Sequence, residues 1–224
     1  MVEGKNACFT RPEMKAERVS YDVMTPSAAR GILEAVFWHP GLRWKIDAIT
    51  VLKEIQFDAI RRNELGSKIP LQNITSAMKG GEIRPQIISE DRQQRATLCL
   101  RDVAYVIDAH FDLLPDKMNA SDNAGKFREC FTRRARKGQC YHRPYLGCRE
   151  FAASFSLIEE ESARPESHYA NEASRDLGWM LWDLIYKAET DKSGKGIFSF
   201  EPRFFRAEMK RGVIAVPDLS EVNA

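Results

Sequence analysis

Val103, Tyr105, Ile107, Ala109 and Phe111 fall at every second position, which puts all five on one side of an extended chain and predicts a strand with one buried face. Leu42, Trp44 and Ile46 alternate in the same way. Near Ala48 the pattern changes phase, so that Ile49 and Val51 take over the apolar side, as one extra residue in a strand, a β-bulge, would make it do. Two half-buried strands need an apolar cover, and helical patterns on either side supply one. Thr25 as N-cap and Pro26 in the first turn open a helix whose apolar face is Ile32, Leu33, Val36 and Phe37 and which His39, Pro40 and Gly41 end. A second helix starts at Asp122 or Asn123, repeats Phe127, Cys130, Phe131 and Ala135 at helical spacing, and stops at Gly138. Phe151, Ala153, Phe155 and Leu157 then alternate again.

The order helix, strand, strand, helix, strand is that of an α+β, ferredoxin-like (RRM-like) βαββαβ domain with its first strand short or missing. We place it at residues 1–160, because residues 5–24 show little periodicity and suggest only a strand end and an irregular excursion. Residues 58–94 form a polar insertion, and the acidic, proline-containing stretch 159–178 has the composition of a linker. Beyond it, LGWMLWDLIYKAE, PRFFRAEM and GVIAVP predict a small three-stranded antiparallel domain at 161–224. WMLWDLIY also fits a helix by periodicity, and its aromatic content favours a strand.

No window approaches ~20 continuous apolar residues, so no membrane span is expected. The start MVEGKNACF lacks a charged-then-apolar signal pattern and predicts a cytoplasmic protein. Cys8, Cys99, Cys130, Cys140 and Cys148 contain no CxxC pair and suggest reduced thiols, not a zinc site or disulfide framework. The phosphate-binding glycine motifs and HExxH are missing, which argues against nucleotide-dependent and metalloprotease chemistry. No metal or organic cofactor is expected.

Charge is concentrated in one place. Between residues 122 and 150, Lys126, Arg128, Arg133, Arg134, Arg136, Lys137, Arg143 and Arg149 face only three carboxylates, although the whole chain carries a formal charge of +2. A local basic surface suits a phosphate backbone, while a solvated helix face would have the same composition. Tyr141, His142 and Tyr145, interleaved with Arg143 and Arg149, favour nucleic acid, since an unpaired base stacks on a ring while its phosphate pairs with a guanidinium. Arg61 and Arg62 in the insertion, with Lys68, Arg92 and Arg95, are candidates to close over a bound strand. Arg11, Lys15, Arg18 and Tyr21 are further candidate contacts.

The segments ACFTRPEMKAERVSYDVMTPSAARGILEAVFWHP, RRNELGSKIP, RQQRATLCLRDVAYVIDAHF, DNAGK and RRARKGQCYHRPYLGCREFAASF, with LGWMLWDL and FFRAEMKRGVIAVP, resemble the type I-C CRISPR-associated Cas-five family, subtype d. The resemblance covers nearly the whole chain. It implies a ferredoxin-like domain followed by a small antiparallel sheet, and a metal-independent endoribonuclease that cuts the repeats of precursor CRISPR RNA through the RNA's own 2′-hydroxyl. The same resemblance implies retention of the 5′ handle of the mature crRNA and assembly with the backbone and large subunits of the type I-C effector. Relatives carry a tyrosine at the end of the first helix and an adjacent lysine and histidine opening the second. These map onto Phe37, Lys126 and Phe127. Only Lys126 keeps its chemistry, which makes His142, Tyr141 and His39 the candidate substitutes. An RNA-binding assembly subunit that cuts weakly or not at all is the alternative, and a sequence-independent duplex DNA binder is a third class.

Overall fold

A computed structural model describes residues 1–14, 16–82, 85–190 and 196–222. In chain order the first elements are β1 (Val2–Ala7), β2 (Arg18–Val19), α1 (Pro26–Val36), β3 (Leu42–Val51), β4 (Phe57–Leu65), α2 (Leu71–Met78) and β5 (Arg92–Leu113). They are followed by α3 (Ala124–Arg136), β6 (Ser154–Phe155), β7 (Arg175–Thr190), β8 (Gly196–Lys210) and β9 (Val213–Ala215). The result is a mixed α/β fold dominated by one antiparallel sheet, ordered β6-β1-β5-β3-β9-β8-β7, with β2 and β4 also paired to β5. Only β2 runs parallel to β5. No helix among the described residues is long and apolar enough to cross a membrane.

Sequence and structure agree where local chemistry is strong. The Thr25 hydroxyl accepts the Ala28 N–H at 3.3 Å, and Ala29, Ile32, Ala35 and Val36 are buried beneath α1. The phase change in β3 is a register shift between Ile46 and Ala48 against β5. WMLWDLIY lies in β7, paired antiparallel with β8.

Four expectations change. The first strand is present: β1 pairs with β5 from Val2↔Tyr105 to Ala7↔Leu100 and with β6 on its other side. Its VEGKNA sequence has no alternating pattern, so its pairing is set by neighbours and not by its own apolar face. The polar insertion is largely β4 paired with the first part of β5, from Leu65↔Arg92 to Phe57↔Leu100, with α2 between them. No residue of α2 is buried, and Leu71, Ile74 and Met78 are exposed. The stretch expected as a linker is packed: Arg164 grips Asp108 at 2.9 and 2.6 Å, and the buried Tyr169 accepts the Ile55 N–H at 2.7 Å. β9 hydrogen-bonds β3 through Ala48↔Ala215 to Thr50↔Val213, which joins the C-terminal strands to the same sheet. α1 is tied to β7 as well, since Arg30 donates to both carboxylate oxygens of Asp183 at 3.0 and 2.9 Å and to Glu34 at 2.8 Å.

The segment after α3 docks on the end of β1. Cys8 N–H donates to Leu146 O at 3.0 Å, and the Cys148 thiol points at Cys8 O at 3.7 Å. Gly147 makes this approach possible: its φ is +83°, and a Cβ there would overlap the Cys8 carbonyl. Gly147→Ala is therefore expected to lower stability by about 2 kcal/mol or more. Gly31 in α1 has open space around it, so Gly31→Ala should raise stability by about 0.5–1 kcal/mol through helix propensity. Urea melts of the two variants against the parent check both signs.

Candidate functional site

The first turn of α3 and the residues just past α1 meet around one carboxylate. Asn123 caps α3, its side chain accepting the Lys126 N–H at 2.9 Å. That frees Asp122 for other partners. Its Oδ1 accepts the Lys126 ammonium at 2.8 Å, its Oδ2 accepts the Asn119 N–H at 2.9 Å, and His39 Nε2 lies 3.6 Å from Oδ2. The Asp122 side chain is only 2% exposed, whereas the Lys126 side chain is 46% exposed. The Lys126 ammonium, then the Asn119 N–H, hold the Asp122 carboxyl below its usual range. Lys126 Nζ also reaches Ser121 Oγ at 3.3 Å.

His39 is hydrogen-bonded through one ring nitrogen and faces the Asp122 carboxylate with the other. Its Nδ1 accepts the Gly41 N–H at 3.0 Å, so the ring proton belongs on Nε2, the atom that faces Asp122. Its ring lies 4.7 Å from that of Phe127. Phe127 and Phe37 are both buried, 6.0 Å apart, in an apolar cluster with Leu42 and Trp44. The Trp44 indole donates to Phe37 O at 2.9 Å. The two phenylalanines thus form the floor beneath the polar groups. Trp38, between Phe37 and His39, is 60% exposed.

Tyr141 and His142 lie past the far end of α3, and from Lys126 to Arg136 the helix rises about 15 Å. Tyr141 is 88% exposed, and its N–H donates to Ala35 O at 2.7 Å. His142 Nδ1 lies 3.3 Å from Arg143 O, and its ring stacks toward Tyr145 at 6.3 Å. Among the described residues, none of these contacts reaches Lys126. The structure therefore brings together Lys126 and His39, adds Asp122, and leaves Tyr141 and His142 in a separate aromatic group with Tyr145.

The arginines divide into two sets. Arg134 donates to Val36 O at 3.0 Å and lies 5.3 Å from the Phe37 ring centroid, closing the C-terminus of α1. Arg136 makes a two-pronged pair with Glu159 at 2.9 and 2.6 Å, and Arg62 binds Glu150 and, at 2.8 Å, Thr97. Arg61, Arg128, Arg133, Lys137, Arg143 and Arg149 are exposed and form no ion pair among the described residues. Arg133 makes one long contact, 3.4 Å, with Gln139. Of the other candidates, Arg11 pairs with Asp22 at 3.4 Å and Arg18 with Glu64 at 3.6 Å. Arg95 lies 3.9 Å from Glu64. Tyr21 is buried, its hydroxyl accepting the Leu181 N–H at 3.2 Å, and Lys15 lies outside the described residues. Sequence reasoning missed Asp122 as a partner of Lys126. The available signal was the i,i+4 acid–base spacing of the two residues.

A fold of this kind occurs among CRISPR-associated proteins. The chain superposes over its full length on 94% of a solved structure described as a CRISPR-associated protein, with a TM-score of 0.68 and 24% identity. Residues 1–217 match the Cas5d family model, described as CRISPR-associated protein (Cas_Cas5). The chain is 50% identical to the CRISPR pre-crRNA endoribonuclease Cas5d of Mannheimia succiniciproducens over 96% of its own length and 92% of that protein's. It is 40% identical to the protein of the same name from Thermus thermophilus, over 96% of this chain and 89% of the relative. The chain belongs to the Cas5d family.

The two sets of arginines should separate experimentally. Arg134→Ala leaves the Val36 carbonyl without its charged donor and is expected to cost about 1.5–3 kcal/mol of stability. Arg133→Ala, on the exposed side of the same turn, should stay within about 0.5 kcal/mol of the parent. Denaturant midpoints of both variants provide the comparison.

Proposed function

We propose that this chain is a precursor CRISPR RNA endoribonuclease that cuts within the repeat, with Lys126 as its transition-state cation. The observation that carries the reading is 50% identity, over nearly the whole chain, to a relative whose name states that activity. The chemistry asks little of the protein. The 2′-oxygen of the RNA bonds to the adjacent phosphorus as the bond from phosphorus to the 5′-oxygen breaks. The 2′-hydroxyl loses its proton, the departing 5′-oxygen gains one, and the products are a 2′,3′-cyclic phosphate and a 5′-hydroxyl. Lys126 meets the extra negative charge of the crowded phosphorane, and its place in the first turn of α3 adds the positive end of the helix dipole.

In this reading Arg61, Arg128, Arg133, Lys137, Arg143 and Arg149, which are exposed, hold the RNA backbone. Trp38, Tyr141, His142 and Tyr145 offer stacking surfaces for unpaired bases. Arg62, Arg134 and Arg136 shape the surface through their own partners. The strand order β6-β1-β5-β3, with α1 and α3 as connections, supports a ferredoxin-like core, and the pairing of β7 with β8 and of β8 with β9 supports a smaller C-terminal antiparallel unit continuous with the same sheet through β9. The protein works in the cytoplasm without a metal or organic cofactor, keeps the 5′ handle of the crRNA, and joins the other type I-C effector subunits.

A second reading, an RNA-binding assembly subunit without useful nuclease activity, is favoured by one observation. Phe37 and Phe127 stand where relatives of the family have a tyrosine and a histidine, and both are buried in apolar contact. Incubation with the cognate repeat RNA in a chelator distinguishes the two. The nuclease reading expects one cut, a cyclic phosphate end, and no product when the ribose at the cut site lacks its 2′-hydroxyl. Lys126→Ala should slow cleavage by roughly 100-fold or more, the usual loss when a transition-state donor is removed, while RNA affinity changes by only a few fold. Tight binding with no product establishes the second reading instead.

A further inference from the structure

We propose that Asp122 is a positioning residue for the cleavage reaction, and that His39 acts through it as a neutral brace and not as a proton acceptor. The inference rests on the nuclease reading above. It starts from a placement that costs stability unless something balances it: a lysine in the first turn of a helix sits at the positive end of the dipole. Asp122 supplies the balance. It holds the Lys126 ammonium at 2.8 Å, and its own second oxygen is anchored to the Asn119 backbone at 2.9 Å. A carboxylate that is 2% exposed and anchored in this way has little freedom to move, so it fixes the direction of a side chain whose other polar contact is the longer one to Ser121 Oγ at 3.3 Å.

The geometry around His39 points the same way. A general base needs an available lone pair on the side facing substrate. The Nδ1 lone pair of His39 already accepts the Gly41 N–H at 3.0 Å, and the Nε2 proton faces Asp122 Oδ2 at 3.6 Å. The ring is backed by Phe127 at 4.7 Å. Phe127 occupies the position where the family's histidine would sit. In this chain a histidine from the end of α1 packs on that phenylalanine and reaches the carboxylate that holds the lysine. His39, Asp122 and Lys126 thus form a line from brace to anchor to cation, ending at the exposed ammonium.

The test uses the full-length chain and cognate repeat RNA under single-turnover conditions, measuring cleavage rate and RNA affinity separately. Asp122→Asn keeps the shape but lets the side-chain oxygen hold fewer donors and removes the charge. It is expected to lower the cleavage rate 10- to 100-fold with affinity within about threefold of the parent, and to have little further effect in a Lys126→Ala background. His39→Gln can still present an N–H to Asp122 but cannot serve as a base, so it should retain at least about a third of the parent rate, whereas His39→Ala should lose roughly tenfold.

If Asp122→Asn cleaves at the parent rate while Lys126→Ala does not, the inference falls and the nuclease reading stands. If His39→Gln loses as much as His39→Ala, His39 is a base and the brace is refuted. If the parent itself gives no product, the nuclease reading fails and the inference fails with it. Should Asp122→Asn melt too early to assay, the two His39 variants decide alone.

Discussion

The backbone of β5 is the support on which the first half of the molecule is built. β1 and β3 flank it, β4 pairs with it once β3 has left, and β2 adds a short parallel pairing at Thr97 and Leu98. The handover from β3 to β4 needs a local departure from extended geometry. Asp102 provides it at φ +50°, in the left-handed region that non-glycine residues seldom enter. The Lys53 ammonium holds the Asp102 carboxylate at 2.6 Å, and Leu52 and Arg101 keep backbone bonds across the gap to Ala104 and Gln56. Because β5 also ends beneath Trp44 and Phe127 through Phe111, the same strand sets the floor of the candidate site.

Above that floor, the two long helices are coupled by the carbonyl groups that α1 cannot satisfy itself. A helix end leaves its last carbonyls without internal donors. In α1, Val36 is served by the Arg134 guanidinium and Ala35 by the Tyr141 N–H. The C-terminal end of α3 and the aromatic turn after it are thereby held against the end of α1. His39 follows from that end and is brought to Asp122 at the opposite end of α3. The site is therefore a consequence of capping as much as of packing, and positive charge in this region has structural as well as surface roles.

How much of this could be read from residues alone depends on how local the cause was. The Thr25-Pro26 start and the phase change at Ala48 are short-range signals, and both appear where the pattern put them. β4 and the first part of β5 were hidden because their less exposed face is largely polar: Arg62, Glu64, Arg95 and Thr97 alternate with exposed neighbours, so burial alternates without a hydrophobic rhythm to mark it. β1 was hidden because Gly4, Lys5 and Asn6 give no apolar rhythm. Within the basic helix, Arg133, Arg134 and Arg136 are chemically alike. What separates them is what lies opposite: solvent and Gln139 for the first, the Val36 carbonyl for the second, Glu159 for the third. The partnership of His39 with Asp122 joins positions far apart in the chain, so spacing could suggest Asp122 with Lys126 but not the histidine.

The central place of β5 also has a temporal side. β1, β2 and β4 pair with β5 or, for β1, with the later β6, and β3 pairs with β5 and β9. None of the first four strands is a partner of another. Apart from the short antiparallel pairing of Thr10 with Ser20, the described strands of a nascent chain leaving the ribosome therefore have no partner until residues 92–113 emerge, a delay of roughly 5–20 s at common elongation rates of ~5–20 residues per second. During that interval α1 and the unpaired strands are the parts of the newborn chain that a chaperone would meet.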